Sequence, residues 1–308
     1  MKNVHVSNET VALPNKQLLS LAQSPARNEV AQGNLSKSSQ FIQKKFKKIM
    51  GTVRAQAPAI YRLNLAMVGL AIVCLLGLAI DDRTLTGVNV WLKPLKFALS
   101  TSIFILTLGY LMSKYPYSKI KKNIIDKTVA WALFFELSII ATQAARGVRS
   151  HYNVETPLDG ILFMFMGIFV GIVVLIVLLF IIDTIRLKLK TTKAMQWAIL
   201  LGWTVVFFGS WVGGQMIGQM AHNVGAPDGG AGLALVNWST IAGDLRIAHF
   251  FGLHGIQFIP LFAYAITKKW KINSRNQILA VTIFALGYAS WIGYVFYQAK
   301  QGIALLAQ

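Results

Sequence analysis

GILFMFMGIFVGIVVLIVLLFII, residues 160–182, carries no ionisable side chain at all. As a helix, rising about 1.5 Å per residue, such a run crosses the roughly 30 Å hydrocarbon core of a bilayer. Hydrocarbon offers no water to the backbone, so the segment must satisfy its own hydrogen bonds, which a helix does. Runs free of Asp, Glu, Lys and Arg recur at 63–80, 97–113, 194–221, 247–267 and 276–299, and a seventh, 128–145, is interrupted only by Glu136. Hydrophobic residues make up 55% of the chain and charged ones 13%, too few charges for a soluble domain of this length. The pattern predicts an all-α polytopic transmembrane bundle of seven spans.

A net charge of +19 raises the question of nucleic acid. Its distribution answers no. Of the 30 Lys and Arg, ten precede the first span and thirteen sit in three short connectors, the positive-inside arrangement of a membrane protein. The basic connectors are 114–127, 183–193 and the one holding Lys268, Lys269, Lys271 and Arg275. These are expected in the cytoplasm, with loops 81–96, 146–159 and 222–246 on the other face. Seven spans then put the N-terminus inside and the C-terminus outside. Residues 1–40 are polar and read as a mobile cytoplasmic tail. Residues 41–60, opening FIQKKFKKIM, read as a basic amphipathic segment on the anionic inner leaflet. Residues 61–308 form the membrane domain. The lone Cys74 lies within the first span, and no secretory signal peptide is expected.

The chemistry gathers on the outer side. Asp81, Asp82, Glu155, Asp159, Asp228 and Asp244 fall in outer loops or helix ends, as do His151, His222, His249 and His254. In WLKPLKF, Pro94 suits the first turn of a helix, which leaves Lys93 and Lys96 at its positive end, where cations are disfavoured. Asp81, Asp82 or a bound anion should compensate them. In the third span, helical spacing puts Glu136, Gln143 and Ser150 on one stripe, flanked by Arg146 and Arg149. A carboxyl at that depth marks a functional site or a paired partner. TPLDG supplies a capped helix start through Thr156, Pro157 and Asp159. The pairs Gly167/Gly171 and Gly214/Gly218 have the spacing of close helix contacts. The glycine-rich loop 222–246 is long for a membrane connector, a length typical of lids and binding loops.

GDLRIAHFFGLHGIQFIP, residues 243–260, places Arg246, His249, His254 and Gln257 within an arc of about 140° on one helix. Pro260 is expected to kink that helix. The candidate acid/base set is therefore His249, His254, Asp244 and Glu136. The candidate binding set for an anionic group is Arg246, Lys93, Lys96, Arg146, Arg149 and Gln257. No HExxH or paired-cysteine motif is present, and a five-residue step between histidines suits a shared metal poorly. Histidines hydrogen-bonded in a polar network are the better reading, and no cofactor is named. The expected partners are the bilayer and an anionic small molecule or lipid. Nucleic acid is excluded.

NVWLKPLKFALS, QAARGVRSHYN, the run from PDGG to NWST, and GDLRIAHFFGLH together resemble segments of an uncharacterised family of bacterial polytopic membrane proteins with about seven spans. The likeness covers most of residues 80–265. It implies a multi-pass protein of the bacterial inner membrane and carries over no functional residue. Three classes stay open: a membrane-embedded enzyme or redox protein, a transporter of a small anionic solute, and a sensory, accessory or structural protein.

Overall fold

The computed structural model describes residues 25–269 and 273–306, which form nine helices and two short antiparallel ladders. The chain divides into two compact units, Met1–Gly51 and Thr52–Gln308. Helix α1 (Pro25–Gln56) supplies the described part of the first. The stretch expected as a tail is thus helical from Pro25 onward, and residues 1–24 lie outside the described residues. Lys, Gln and Ala supply 12 of its 32 residues, and all three are good helix formers. Pro58 ends α1 by forcing Ala57 out of helical backbone, to φ −145 and ψ 67, and itself opens α2 (Pro58–Ile80).

Five helices are long and apolar enough to cross a membrane: α2, α3 (Leu92–Met112), α5 (Pro157–Arg186), α6 (Lys193–Gln219) and α9 (Ser274–Lys300). Two more, α7 (Leu245–Leu253) and α8 (Gly255–Lys269), meet at a 47° bend and make a sixth if taken as one broken span. The chain is an all-helical multi-pass membrane protein. Its outward faces carry exposed Leu65, Ile72, Leu76, Ile168, Leu175, Ile283 and Leu286, the groups that suit lipid.

Helix α4 (Lys119–Arg146) is not among the apolar six. Lys119, Lys121, Lys122, Asp126 and Lys127 crowd its start, and Glu136 and Gln143 interrupt the rest. It nevertheless runs the full length of α2. At one end the Asp126 carboxylate accepts from Ala59 N–H and Ile60 N–H, both at 2.9 Å, so a residue of α4 caps the first turn of α2. At the other, Arg83, just past α2, donates to the Ala145 carbonyl in the last turn of α4 at 3.0 Å. α4 then closes on Gly147, at φ 73.

These contacts sort the second unit into two ends. One holds the start of α2, the start of α4 and the end of α5, where Asp183 takes Lys121 at 2.6 Å and Tyr117 at 2.7 Å. The other holds the end of α2, the start of α3, the end of α4 and the loop 222–244.

The glycines that bring helices together are not the expected pairs. A Cβ added at Gly167, Gly171, Gly214 or Gly218 would meet nothing within 4 Å. Their four-residue spacing falls on a face with no neighbour. The close approach is instead α6 against α7–α8, where a Cβ on Gly252 would lie 2.4 Å from the Gly209 Cα and one on Gly255 would lie 2.5 Å from Val205. Glycine backbone on glycine backbone lets these helices touch without side chains between them.

Candidate functional site

The site is assembled at the end opposite the lysine-rich connectors. A tight hairpin, β1 (Thr84–Leu85) with β2 (Val88–Asn89), delivers the chain to α3. Thr86 (φ 51) and Gly87 (φ 80) both take left-handed backbone, as a two-residue hairpin turn requires. The Asn89 side chain then accepts from Trp91 N–H at 2.9 Å, setting the entry to α3.

Lys93 and Lys96 stand in the first turns of α3, as expected, but their compensation is different. Asp81 is already held by Arg83 at 2.7 Å and by the Trp91 indole N–H at 2.8 Å, which keep its carboxyl well below the usual range. Asp82 is exposed. Neither lysine forms an ion pair with a carboxylate among the described residues. Lys93 instead reaches His151 Nδ1 at 3.3 Å, and Lys96 donates to the Val236 carbonyl at 2.8 Å.

His151 arrives because Gly147 reverses the chain after α4. Its Nδ1 is also 3.0 Å from Ser150 Oγ, and its Nε2 lies 3.8 Å from Glu136 Oε1. An ammonium can only donate, so Nδ1 accepts and the ring proton sits on Nε2, facing Glu136. Burial, then the positive Lys93 and the neighbouring His222 and His249, hold His151 well below 6.5. Glu136 is 5% exposed, and its other oxygen, Oε2, is buried without a hydrogen-bond partner. A buried carboxyl oxygen left open is costly and marks a place where a donor is missing.

His222 and His249 have defined tautomers. His222 Nδ1 donates to Asp228 at 2.6 Å, and Asp228 also accepts from His222 N–H and Asn223 N–H. Burial alone would raise the Asp228 carboxyl, but these donors outweigh it and hold it low. Burial lowers His222, partly offset by Asp228. His249 Nδ1 donates to the Gly209 carbonyl at 2.8 Å, and its ring packs where a Cβ on Gly213 would sit, 2.9 Å from Cε1. Each of these rings keeps Nε2 as a lone-pair nitrogen. Among the described residues, no three His, Cys, Asp or Glu side chains gather as a metal site.

Asp244 caps α7 through Arg246 N–H at 2.9 Å and clamps the Arg246 guanidinium in two bonds of 2.9 and 2.6 Å. Arg246 also donates to the Asn237 carbonyl. Lys96 and Arg246 thereby fasten adjacent carbonyls of one turn, in which Leu235 (φ 66) and Asn237 (φ 53) both sit in left-handed backbone. The long loop is latched over the site by two cations.

Arg146 and Arg149, both expected in the binding set, stand apart. Arg146 serves Gln143 and Asp159, the latter at 2.6 Å, and Arg149 pairs with exposed Glu155 at 2.9 Å. Asp159, with Thr156, also caps α5 as anticipated. The single-helix arc of residues 246–257 does not hold, because α7 stops at Leu253 and α8 starts at Gly255, ahead of Pro260. Gly252 and Gly255, pressed on α6, set the bend there. His254 consequently turns to α3, where its Nε2 lies 2.9 Å from Ser100 Oγ, while Gln257 reaches Thr107 at 3.4 Å. Ser100 and Thr107 were missed, although both follow Lys93 and Lys96 at helical spacing.

Comparison with protein-family models, curated proteins and solved structures finds no match for this chain. The site must be read from its own chemistry. It offers a buried carboxyl with an open oxygen, a neutral imidazole, two lysines without carboxylate partners, and a latched loop above them. Such a set can hold an anionic group and exchange a proton beside it.

Proposed function

We propose that this protein crosses the bacterial inner membrane seven times and carries out proton-transfer chemistry on an anionic or lipid-like molecule at the extracytoplasmic mouth of its bundle. The alignment of α4 with α2 along its whole length supports the seventh crossing. The gathering of Lys114, Lys121, Lys122, Arg186, Lys188 and Lys190 at one end supports placing that end inside. In this reading the protein is a membrane-embedded enzyme or redox protein. Lys93 and Lys96 hold the anionic group, Glu136 exchanges the proton, and His151 positions Lys93. The open Oε2 of Glu136, beside two lysines lacking carboxylates, carries the proposal.

The test is ligand-dependent stabilisation of purified protein in nanodiscs, screened against anionic lipids, phosphate esters and quinones. A ligand at a hundred times its Kd should add about 2.7 kcal/mol, lost in Lys93→Met. Absence of any such ligand, together with normal growth of a Glu136→Gln strain under every condition that needs the wild type, removes the reading. A Soret band in the purified protein would select its redox branch.

A second reading, transport of a small anionic solute, is favoured by the break between α7 and α8. Discontinuous helices build the central sites of many transporters. Solute uptake into proteoliposomes, abolished by Glu136→Gln, would select it.

A further inference from the structure

We infer that the seam between α3 and the broken α7–α8 is a water-filled inlet running from the mouth into the middle of the membrane. The inference rests on the chain lying in a bilayer and on no ligand at the mouth.

Its first support is a stripe. Lys93, Lys96, Ser100 and Thr107 recur on α3 at steps of three, four and seven, which keeps them on one helix face. From Lys93 to Thr107 the helix rises about 21 Å, some two-thirds of the roughly 30 Å apolar core. Thr107 satisfies its hydroxyl donor on the Ile103 carbonyl of its own helix at 2.8 Å, and its oxygen can still accept from the seam.

The second support is the opposing face. Each hydroxyl meets a polar side chain from the bent pair, His254 at 2.9 Å for Ser100 and Gln257 at a loose 3.4 Å for Thr107. The bend creates this match by swinging His254 and Gln257 toward α3, while the rear of the same segment stays pressed on Gly202, Val205 and Gly209 of α6. One side of α7–α8 is therefore closed by backbone contact, and the other is lined with polar groups.

The seam also has a floor. Phe104 meets Trp203 edge-on at 6.3 Å, Trp203 stacks on Phe180 at 5.0 Å, and the Trp203 indole donates to Tyr115 Oη at 3.2 Å. Trp203, Phe180, Leu108 and Met112 are fully buried. The Phe104–Trp203 pair flanks the seam one turn short of Thr107, and beyond Thr107 the fully buried, apolar Leu108 and Met112 end the polar lining, so the inlet opens to one face only.

Charged thiol reagents test this, because they attack a thiolate and need water to reach and ionise it. In a Cys74→Ala background, Ser100→Cys, Thr107→Cys, the outward-facing Leu99→Cys and the core control Leu108→Cys are treated with a membrane-impermeant anionic methanethiosulfonate, which the lysines at the mouth do not repel. Ser100→Cys and Thr107→Cys should react from the face bearing the 222–244 loop, at least about tenfold faster than the controls. Thr107→Cys as inert as Leu99→Cys, or reactive only from the opposite face, would overturn the inlet. Should these variants fail to insert, hydroxyl-radical footprinting of the unaltered chain decides. Oxidation at His254, which is 8% exposed, supports the inlet, and its absence refutes it.

Discussion

At the residue scale the glycines separate local spacing from tertiary fact. A Cβ on Gly214 or Gly218 would meet nothing within 4 Å, whereas Gly209, which has the same four-residue spacing to Gly213, meets Gly252 in the tightest helix contact. Gly252→Ala should cost about 1–3 kcal/mol, because the new methyl meets backbone that cannot rotate away. Gly214→Ala should be neutral or gain up to about 1 kcal/mol in helix propensity. Thermal unfolding of both variants in the same lipid checks the pair, and equal shifts would contradict the packing. His151 makes a second prediction. Its folded pKa is depressed below 6.5, so the unfolded chain binds the proton more readily. Its stabilising contribution is complete above pH 6.5 and falls away as the pH drops toward the folded value. His151→Asn should flatten the stability profile below 6.5, leaving the residual slope due to His222, which is also lowered. A variant profile parallel to that of the wild type would place His151 in a wetter setting. The sequence leads one to expect Lys93 and His151 at the same end of the bundle and Glu136 within a span. It cannot show that they touch, since their meeting depends on how α3, α4 and the turn at Gly147 pack.

At the element scale, caps and breaks decide which helices exist as drawn. The start of α2 borrows its cap from Asp126, far away in sequence, and no local pattern around Pro58 announces this. Replacing Asp126 with Ala leaves the amides of Ala59 and Ile60 without an acceptor and should cost about 1–2 kcal/mol, while Asn should recover part of it. Unfolding midpoints of the two variants read this directly, and an unaffected Ala variant would mean that water replaces the carboxylate. The break in the sixth apolar segment teaches the same lesson. Pro260 is the visible breaker, yet the bend lies at His254, where glycine contacts with α6 fix the backbone. Pro260→Ala should therefore leave the spacing between His254 and Ser100 intact, and a disulfide trapped between cysteines at those positions would report it. The Thr156 cap in TPLDG, by contrast, was legible, because a cap is a local device whose partners lie within one turn, whereas the bonds of Asp159 to Gln143 and Arg146 were not.

At the scale of the whole molecule, hydropathy alone finds five crossings, or six with the bent α7–α8 pair as one, and the proposed seventh depends on α4. If α4 lay on the surface, the ends of α2 could not both contact it. Asp126 holds the start of α2 while Ala145 receives Arg83 from beyond its end, and α2 is itself of membrane length. The sharing of both ends is the support for the proposed seventh crossing. Polar interruptions hide α4 from hydropathy, and the same interruptions, Glu136 above all, are what it brings to the site. An odd number of crossings sets the termini on opposite faces. An alkaline phosphatase fused after Gln308 should be active and a fluorescent protein there dark, with the reverse for fusions in the 186–193 connector. Impermeant lysine reagents added outside should likewise miss that connector. A C-terminus found inside would leave an even count, and a second fusion in the 147–156 turn would then identify the segment that fails to cross. Activity at 147–156 would implicate the bent α7–α8 pair as re-entrant, and silence there would implicate α4, carrying Glu136 away from the outer mouth and the proposed chemistry with it.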